Sequence, residues 1–362
     1  MNFISGQDAA QRAVTIPRLR RDGRALRSRK NIPDHRIQKA IFWILFLLIF
    51  IFLIKLLWQK SIWNRANRVS IILESRTGKN AGGIKLDLFS YDPKLKQAVI
   101  MVIPDNTMLD VPFGYETYQA SSVYKLGELD KKRGGGRLLA KSIENTFGIV
   151  LDGFYVFDDN IYSMLPQNKN EVMEFKKKYF SLLSLFSNLN SLLTNYHYID
   201  TNLSLLDKLY LWNALRQLRL DQITVYDLDK VKLLTDTKLP DNTMVKIVDK
   251  DLYDAFFEGV FYDSPIRTEK ITVEVVNATD QERVASQFAR LMEAVGSNVI
   301  IKSTADKEED FTCKLYLNSD KLKLSSIVAK LKTVYKCKIA IDHNDSSIHA
   351  DIKVILGKGY LL

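Results

Sequence analysis

The sequence predicts an α/β protein behind one apolar helix, and three observations predict it. Residues 40–58 (AIFWILFLLIFIFLIKLLW) carry one charge, Lys55, and at about 1.5 Å per residue such a helix matches the roughly 30 Å hydrocarbon core of a bilayer. Residues 68–262 alternate strand-like and helix-like stretches. Residues 270–362 repeat that alternation in a shorter block with its own apolar positions. The expected organisation is a basic disordered tail (1–36), a transmembrane helix (37–59), a first α/β domain (68–262), a linker (263–269) and a small second α/β domain (270–362).

The first 39 residues hold ten Lys or Arg against three Asp, a local excess of seven within a chain of net charge +10. A basic stretch beside a span is a topology signal, because the side richer in Lys and Arg stays in the cytoplasm. The expectation is therefore a single-pass protein, N-terminus cytoplasmic and later domains extracytoplasmic, with membrane lipid as a partner of the arm. Nucleic acid is not an expected partner, since the rest of the chain is close to neutral. No small-residue cleavage site follows the apolar tract, so it is read as retained.

Within the first block, residues 69–73 read as a strand, and 84–91 alternate with period two as a half-buried strand. A turn at 92–96 leads to a second strand at 97–104, whose apolar run 98–103 predicts burial on both faces. Residues 137–149 are helical by spacing, with Leu138, Leu139, Ile143 and Phe147 on one side and Gly148 as the stop. A strand follows at 151–157, and 171–220 read as mostly helical, with a broad leucine face at 182–193. The second block reads as strand 271–276, helix 282–295, strands 298–302 and 312–317, helix 322–335, and strands 338–341 and 352–356.

Chemistry-bearing residues are sparse. Cys313 and Cys337 are too few for a zinc site; a disulfide and two buried small hydrophobes are both open readings. Residues 134–136 are three glycines ahead of a helix, read as a flexible turn, with phosphate binding by free N–H groups as the alternative. His197 stands alone, and Tyr115, Tyr118 and Tyr124 either line a sugar site or cover a core.

The order of motifs resembles the LytR-CpsA-Psr family of bacterial envelope proteins, followed by that family's separate C-terminal domain. The resemblance rests on residues 137–158 (RLLAKSIENTFGIVLDGFYVFD), 75–78 (SRTG) and 103–107 (IPDNT), and in the second block on 273–279 (VEVVNAT) and 354–358 (VILGK). It implies an α/β sandwich with a mixed central sheet, and transfer of a glycopolymer from a polyprenyl-pyrophosphate carrier to peptidoglycan. That chemistry needs arginines as diphosphate clamps and carboxylates that hold Mg²⁺.

The sequence departs from this pattern. Gly82 and Ile84 fall where the family has an arginine and a metal-binding aspartate. Asp105 and Asn106 replace an arginine and an aspartate, and Gln119 falls where a lysine is usual. Arg76 and Thr107 are retained, Glu74 stands near a further aspartate position, and Arg137 opens the helix after the glycines. Arg76, Thr107 and Arg137 are thus the candidate anion-binding residues, with no catalytic residue assigned and no metal site.

The reading adopted is a non-catalytic or strongly diverged envelope protein that binds or assembles wall material, its partners a polyprenyl-linked glycan or peptidoglycan. An active Mg²⁺-dependent transferase and a regulatory factor signalling through the tail are the alternatives. No cofactor is expected outside the transferase reading.

Overall fold

The computed structural model describes residues 35–58, 61–76, 84–130, 132–158, 165–181, 199–340 and 349–361. The chain divides into two compact units, Met1–Lys55 and Leu56–Leu362. Helix α1 (His35–Trp58) is 24 residues long.

Among the described residues no helix is long and apolar enough to cross a membrane. The predicted transmembrane helix at 37–59 is corrected on that ground. The single-pass topology, with a cytoplasmic N-terminus and extracytoplasmic domains, depended on that span and falls with it. The basic tail to residue 34, His197, Gly82 and the leucine face at 182–193 lie outside the described residues.

The second unit is α/β with mixed sheets. Strands β1 (Val69–Arg76), β2 (Lys85–Asp92) and β3 (Gln97–Ile103) form an antiparallel meander. A hairpin, β4 (Met108–Val111) and β5 (Glu116–Gln119), leads into α2 (Ala120–Leu129) and α3 (Gly135–Phe147). Strand β6 (Gly153–Asp158) returns parallel to β1. Then come α4 (Lys169–Tyr179), the short β7 (Ile199–Thr201) antiparallel to β6, α5 (Leu205–Gln217), and β8 (Ile223–Asp227) parallel to β3. The sheet order is β7-β6-β1-β2-β3-β8. A second hairpin, β9 (Leu234–Lys238) and β10 (Met244–Val248), precedes α6 (Lys250–Phe257).

Both faces of this sheet are covered, which is why β3 is apolar at every position from Ala98 to Ile103. Met101 and Ile103 meet Leu138, Leu139 and Ile143 of α3 on one side, and Ile100 and Val102 join Val172 of α4 and Leu211 of α5 on the other. The helix stop at Gly148 holds, with φ +68 and its N–H on the Glu144 carbonyl. The start of α5 is a capping box in which Ser204 and Asp207 bond each other's backbone N–H.

Residues 264–269 form α7 (Ser264–Glu269). Beyond it, β11 (Thr272–Ala278), α8 (Val284–Ala294), β12 (Asn298–Thr304), β13 (Cys313–Leu317), α9 (Ser326–Val334), β14 (Lys338–Ala340) and β15 (Ile352–Gly357) follow the predicted order. They make a mixed sheet, β12-β11-β15-β13-β14. Cys313 and Cys337 are joined as a disulfide beside β13.

This block is joined to the first sheet by buried charge. Lys330 of α9, 5% exposed, places its Nζ 2.7 and 2.8 Å from the two Asp152 carboxylate oxygens and donates to the Arg68 carbonyl at 2.7 Å. Asp263 accepts from Asn67 Nδ2 and from the Arg68 N–H. Lys330→Met would strand Asp152 as a buried, uncompensated carboxylate, and we expect a loss of about 3–5 kcal/mol in urea unfolding. Adding Asp152→Asn should recover part of that loss. A double variant no more stable than the single one would mean that the pairing is not what holds the halves.

Candidate functional site

The carboxyl ends of the parallel pair β1 and β6 meet α2, and there the sequence places its most interesting charge. Pairing aligns Leu86, Glu74, Val156 and Asp200 in one row across β2, β1, β6 and β7, with Arg76 and Asp158 two residues further on. Aligned strand residues share a face, here the face toward α3 that also carries Ile72. Glu74 is thereby fully buried among apolar neighbours.

Arg76 answers it. Its Nε lies 3.3 Å from Glu74 Oε1, within ion-pairing distance but not aligned as a hydrogen bond, so both Glu74 oxygens stay without a hydrogen-bond partner. The guanidinium lies over the Tyr124 ring, 4.4 Å from its centroid, and the Tyr124 hydroxyl donates to Asp200 Oδ2 at 3.0 Å. Burial pushes the Glu74 carboxyl up to about 7, against the pull of Arg76. The Tyr124 hydroxyl is raised above its ordinary value by burial and then by Asp200.

The other two candidates stand apart from this cluster. Thr107 is fully buried, with its N–H on the Pro104 carbonyl, its carbonyl accepting from Ala120, and its hydroxyl unpartnered. Arg137 is exposed on the first turn of α3. Among the described residues no ion pair or hydrogen bond joins Arg76 to either.

Neighbouring departures from the family pattern have structural occupations. The Asp105 carbonyl accepts from Ser121 at the start of α2, and Asn106 bonds β10 through Lys246 N–H and the Met244 carbonyl. Ile84 packs on the apolar core. These residues do not fit a Mg²⁺ site, since Glu74 already faces the Arg76 cation and the Asp105 and Asn106 positions are tied to α2 and β10. Among the described residues no three His, Cys, Asp or Glu stand close enough to share a metal ion.

Of the three glycines, Gly134 turns the chain at φ +79 and the other two serve packing. A Cβ on Gly135 would lie 2.8 Å from the Tyr124 ring, and one on Gly136 would lie 2.1 Å from the Phe154 ring. They let the start of α3 press against α2 and β6, and so fix Tyr124 under Arg76. Tyr115 bonds Asp130, and Tyr118 is 39% exposed.

Sequence reasoning left Tyr124 open between a sugar-site role and core cover, and did not join it to Asp200. Tyr124 was visible as an aromatic residue, but its junction with Asp200 spans 76 positions and exists only through the strand register. A second buried carboxyl, Asp87, lies on the opposite face with Gln167 Nε2 at 3.3 Å, and burial pushes it up to about 8.

No family model matches the chain, and no curated protein does. Among solved structures the chain is similar to TagV of B. subtilis, at 14% identity over 52% of this chain and 94% of that one, with a TM-score of 0.37. It is similar to protein gbs0355 from Streptococcus agalactiae, at 14% identity over 54% and 89%, with a TM-score of 0.41. A third is the LytR-CPS2A-psr family protein YwtF (TagT) with bound octaprenyl pyrophosphate lipid, at 15% identity over 53% and 89%, TM-score 0.34. At such identities and superpositions no residue role passes from those proteins to this chain.

Glu74 titrates with a folded value above its ordinary 4.5. Between those two values the folded chain holds a proton that the unfolded chain has released, so this group's contribution to stability is full below pH 4.5 and is lost as pH rises through about 7. Glu74→Gln should therefore gain on the wild type from pH 5 to pH 8, by up to about 3 kcal/mol. Urea midpoints at the two pH values check it, and parallel curves for both proteins would refute the assignment.

Proposed function

We propose that the chain is a binding or assembly protein for a glycopolymer of the bacterial cell envelope, a diverged relative of the LytR-CpsA-Psr transferases that lacks their diphosphate clamp. The observation that carries this reading is the Arg76–Glu74 pair. A transferase acting on a polyprenyl pyrophosphate must hold a leaving diphosphate, and that group is recognised by arginines whose charge is available. Here Arg76 is already faced by a buried carboxylate and laid on an aromatic ring. A diphosphate arriving at Arg76 would meet Glu74 as a like charge in a desolvated site, a juxtaposition worth several kcal/mol of repulsion. Binding of a glycan needs no such clamp, and the partner that suits this reading is a lipid-linked or peptidoglycan-attached glycan.

One observation favours the transferase alternative. A Glu74 carboxyl near 7 is neutral on the acid side of that value, which leaves Arg76 free for an anion. The two readings separate on farnesyl pyrophosphate, titrated with Mg²⁺ at pH 8 against wild type, Arg76→Ala and Glu74→Gln. We expect no saturable binding by the wild type and a gain of about tenfold or more in Glu74→Gln, where Arg76 loses its counter-charge. Sedimentation with purified peptidoglycan bearing its glycopolymer should be unchanged by Arg76→Ala. Saturable Mg²⁺-dependent binding by the wild type that Arg76→Ala abolishes would establish the transferase reading instead.

A further inference from the structure

Three helices of the second unit end at one place. α3 closes at Phe147, α6 at Phe257 and α8 at Ala294, and these residues line a cavity of about 360 Å³. That volume lies at the small end of the range for small-molecule sites. Its floor is aromatic: the Phe147, Tyr253, Phe257 and Phe261 rings follow one another with centroids 5.1, 4.6 and 5.5 Å apart. Its rim carries Asp254, Glu258, Glu293 and one cation, Arg290.

The sign of the cavity follows from how Arg290 is used. Its Nε and Nη2 donate to the two Asp254 oxygens at 2.6 and 2.7 Å. Its Nη1 donates to the Asn145 and Thr146 carbonyls in the last turn of α3. Four of the five guanidinium N–H groups are therefore engaged, and Asp254 offsets its charge. Glu258 and Glu293 remain on the rim, the latter only loosely matched by an exposed Lys302 at 3.5 Å. Each converging helix C-terminus adds partial negative charge, about half an elementary charge at full strength. Aromatic faces attract cations on the same electrostatic footing.

We propose that this cavity is a binding site for an organic cation, an ammonium group on an apolar or aromatic body. The body rests on the aromatic floor and the ammonium points to the rim between Glu258 and Glu293. The site is separate from the Arg76 cluster, and its ligand is opposite in sign to the diphosphate considered there.

Two probes of equal shape and opposite charge test it, 2-phenylethylammonium and 3-phenylpropionate, titrated calorimetrically into the full chain. We expect the ammonium to bind about tenfold or more tighter than the carboxylate. The double variant Glu258→Gln/Glu293→Gln, which alters two exposed side chains and leaves the floor intact, should lose most of that preference. Ala294→Trp, which fills the cavity from its wall, should abolish binding of both probes. Binding of neither probe by the wild type, equal binding of both, or a preference that survives the double Gln variant overturns the proposal. That last comparison decides the matter even where Ala294→Trp fails to fold.

Discussion

The Lys330–Asp152 pair is the contact on which the arrangement of the second unit depends. An ammonium has three protons, and here each has an acceptor: two carboxylate oxygens and the Arg68 carbonyl. Asp152 in turn accepts from the Ser70 N–H at 2.8 Å. One side chain of α9 therefore fixes the entry to β1 and the entry to β6. Such a buried pair contributes modestly against an apolar alternative, yet losing either member leaves a charge without water or partner. Its consequence is orientation. Around it Arg68 reaches Ser90, Asp92 and the Tyr262 carbonyl, and Asp263 closes over Asn67. The predicted linker lies inside this network, with Ser264 Oγ bonded to Asp92.

That orientation sets up both regions of chemical interest. The start of β1, held by Arg68, determines which strand face Glu74 presents six residues later. The seating of the C-terminal block brings the end of α8 to the ends of α3 and α6. Arg290 is the hinge pin of that second meeting, and Gly148 makes room for it: a Cβ there would lie 2.8 Å from Arg290 Nε.

Much of the fold was legible because it follows from period. The even-spaced apolar residues of β2, the unbroken run of β3 and the i, i+1, i+5, i+9 face of α3 each name an element and its buried side. The C-terminal order was readable for the same reason. α2 and the two hairpins were not read, being short elements whose burial comes from neighbours. Lys330 was unreadable as a core residue, since a lysine beside Leu331 on an amphipathic helix ordinarily lies at its edge. The apolar tract at 40–58 shows the converse. Composition announced it plainly, yet among the described residues no helix is both long and apolar enough to cross a membrane. At the candidate site, strand alternation puts Glu74 on the same face as Ile72, so its burial could have been read. Its company of Tyr124 and Asp200 could not, because four separate strands supply the row and α2 supplies Tyr124.

The distribution of charge turns over the first impression made by a basic sequence. The excess of Lys and Arg is concentrated in the first 39 residues, whereas the folded unit buries acids. Glu74 and Asp87 lie on opposite faces of one sheet and Asp263 at the junction of the halves, each raised by desolvation above the carboxylate range. Each has one oxygen or more without a hydrogen-bond partner. A protein that must grip a diphosphate needs surplus buried donors, as arginines or backbone N–H groups. Among the described residues this one leaves carboxyl oxygens of Glu74, Asp87 and Asp263 unpartnered beside a few donors such as Arg133 Nε, and the ring-stacked Arg76 at the candidate anion site already faces Glu74. The charged groups buried among the described residues are thus mostly acidic, which supports the proposed glycan reading over pyrophosphate chemistry and the proposed cation site at the helix ends.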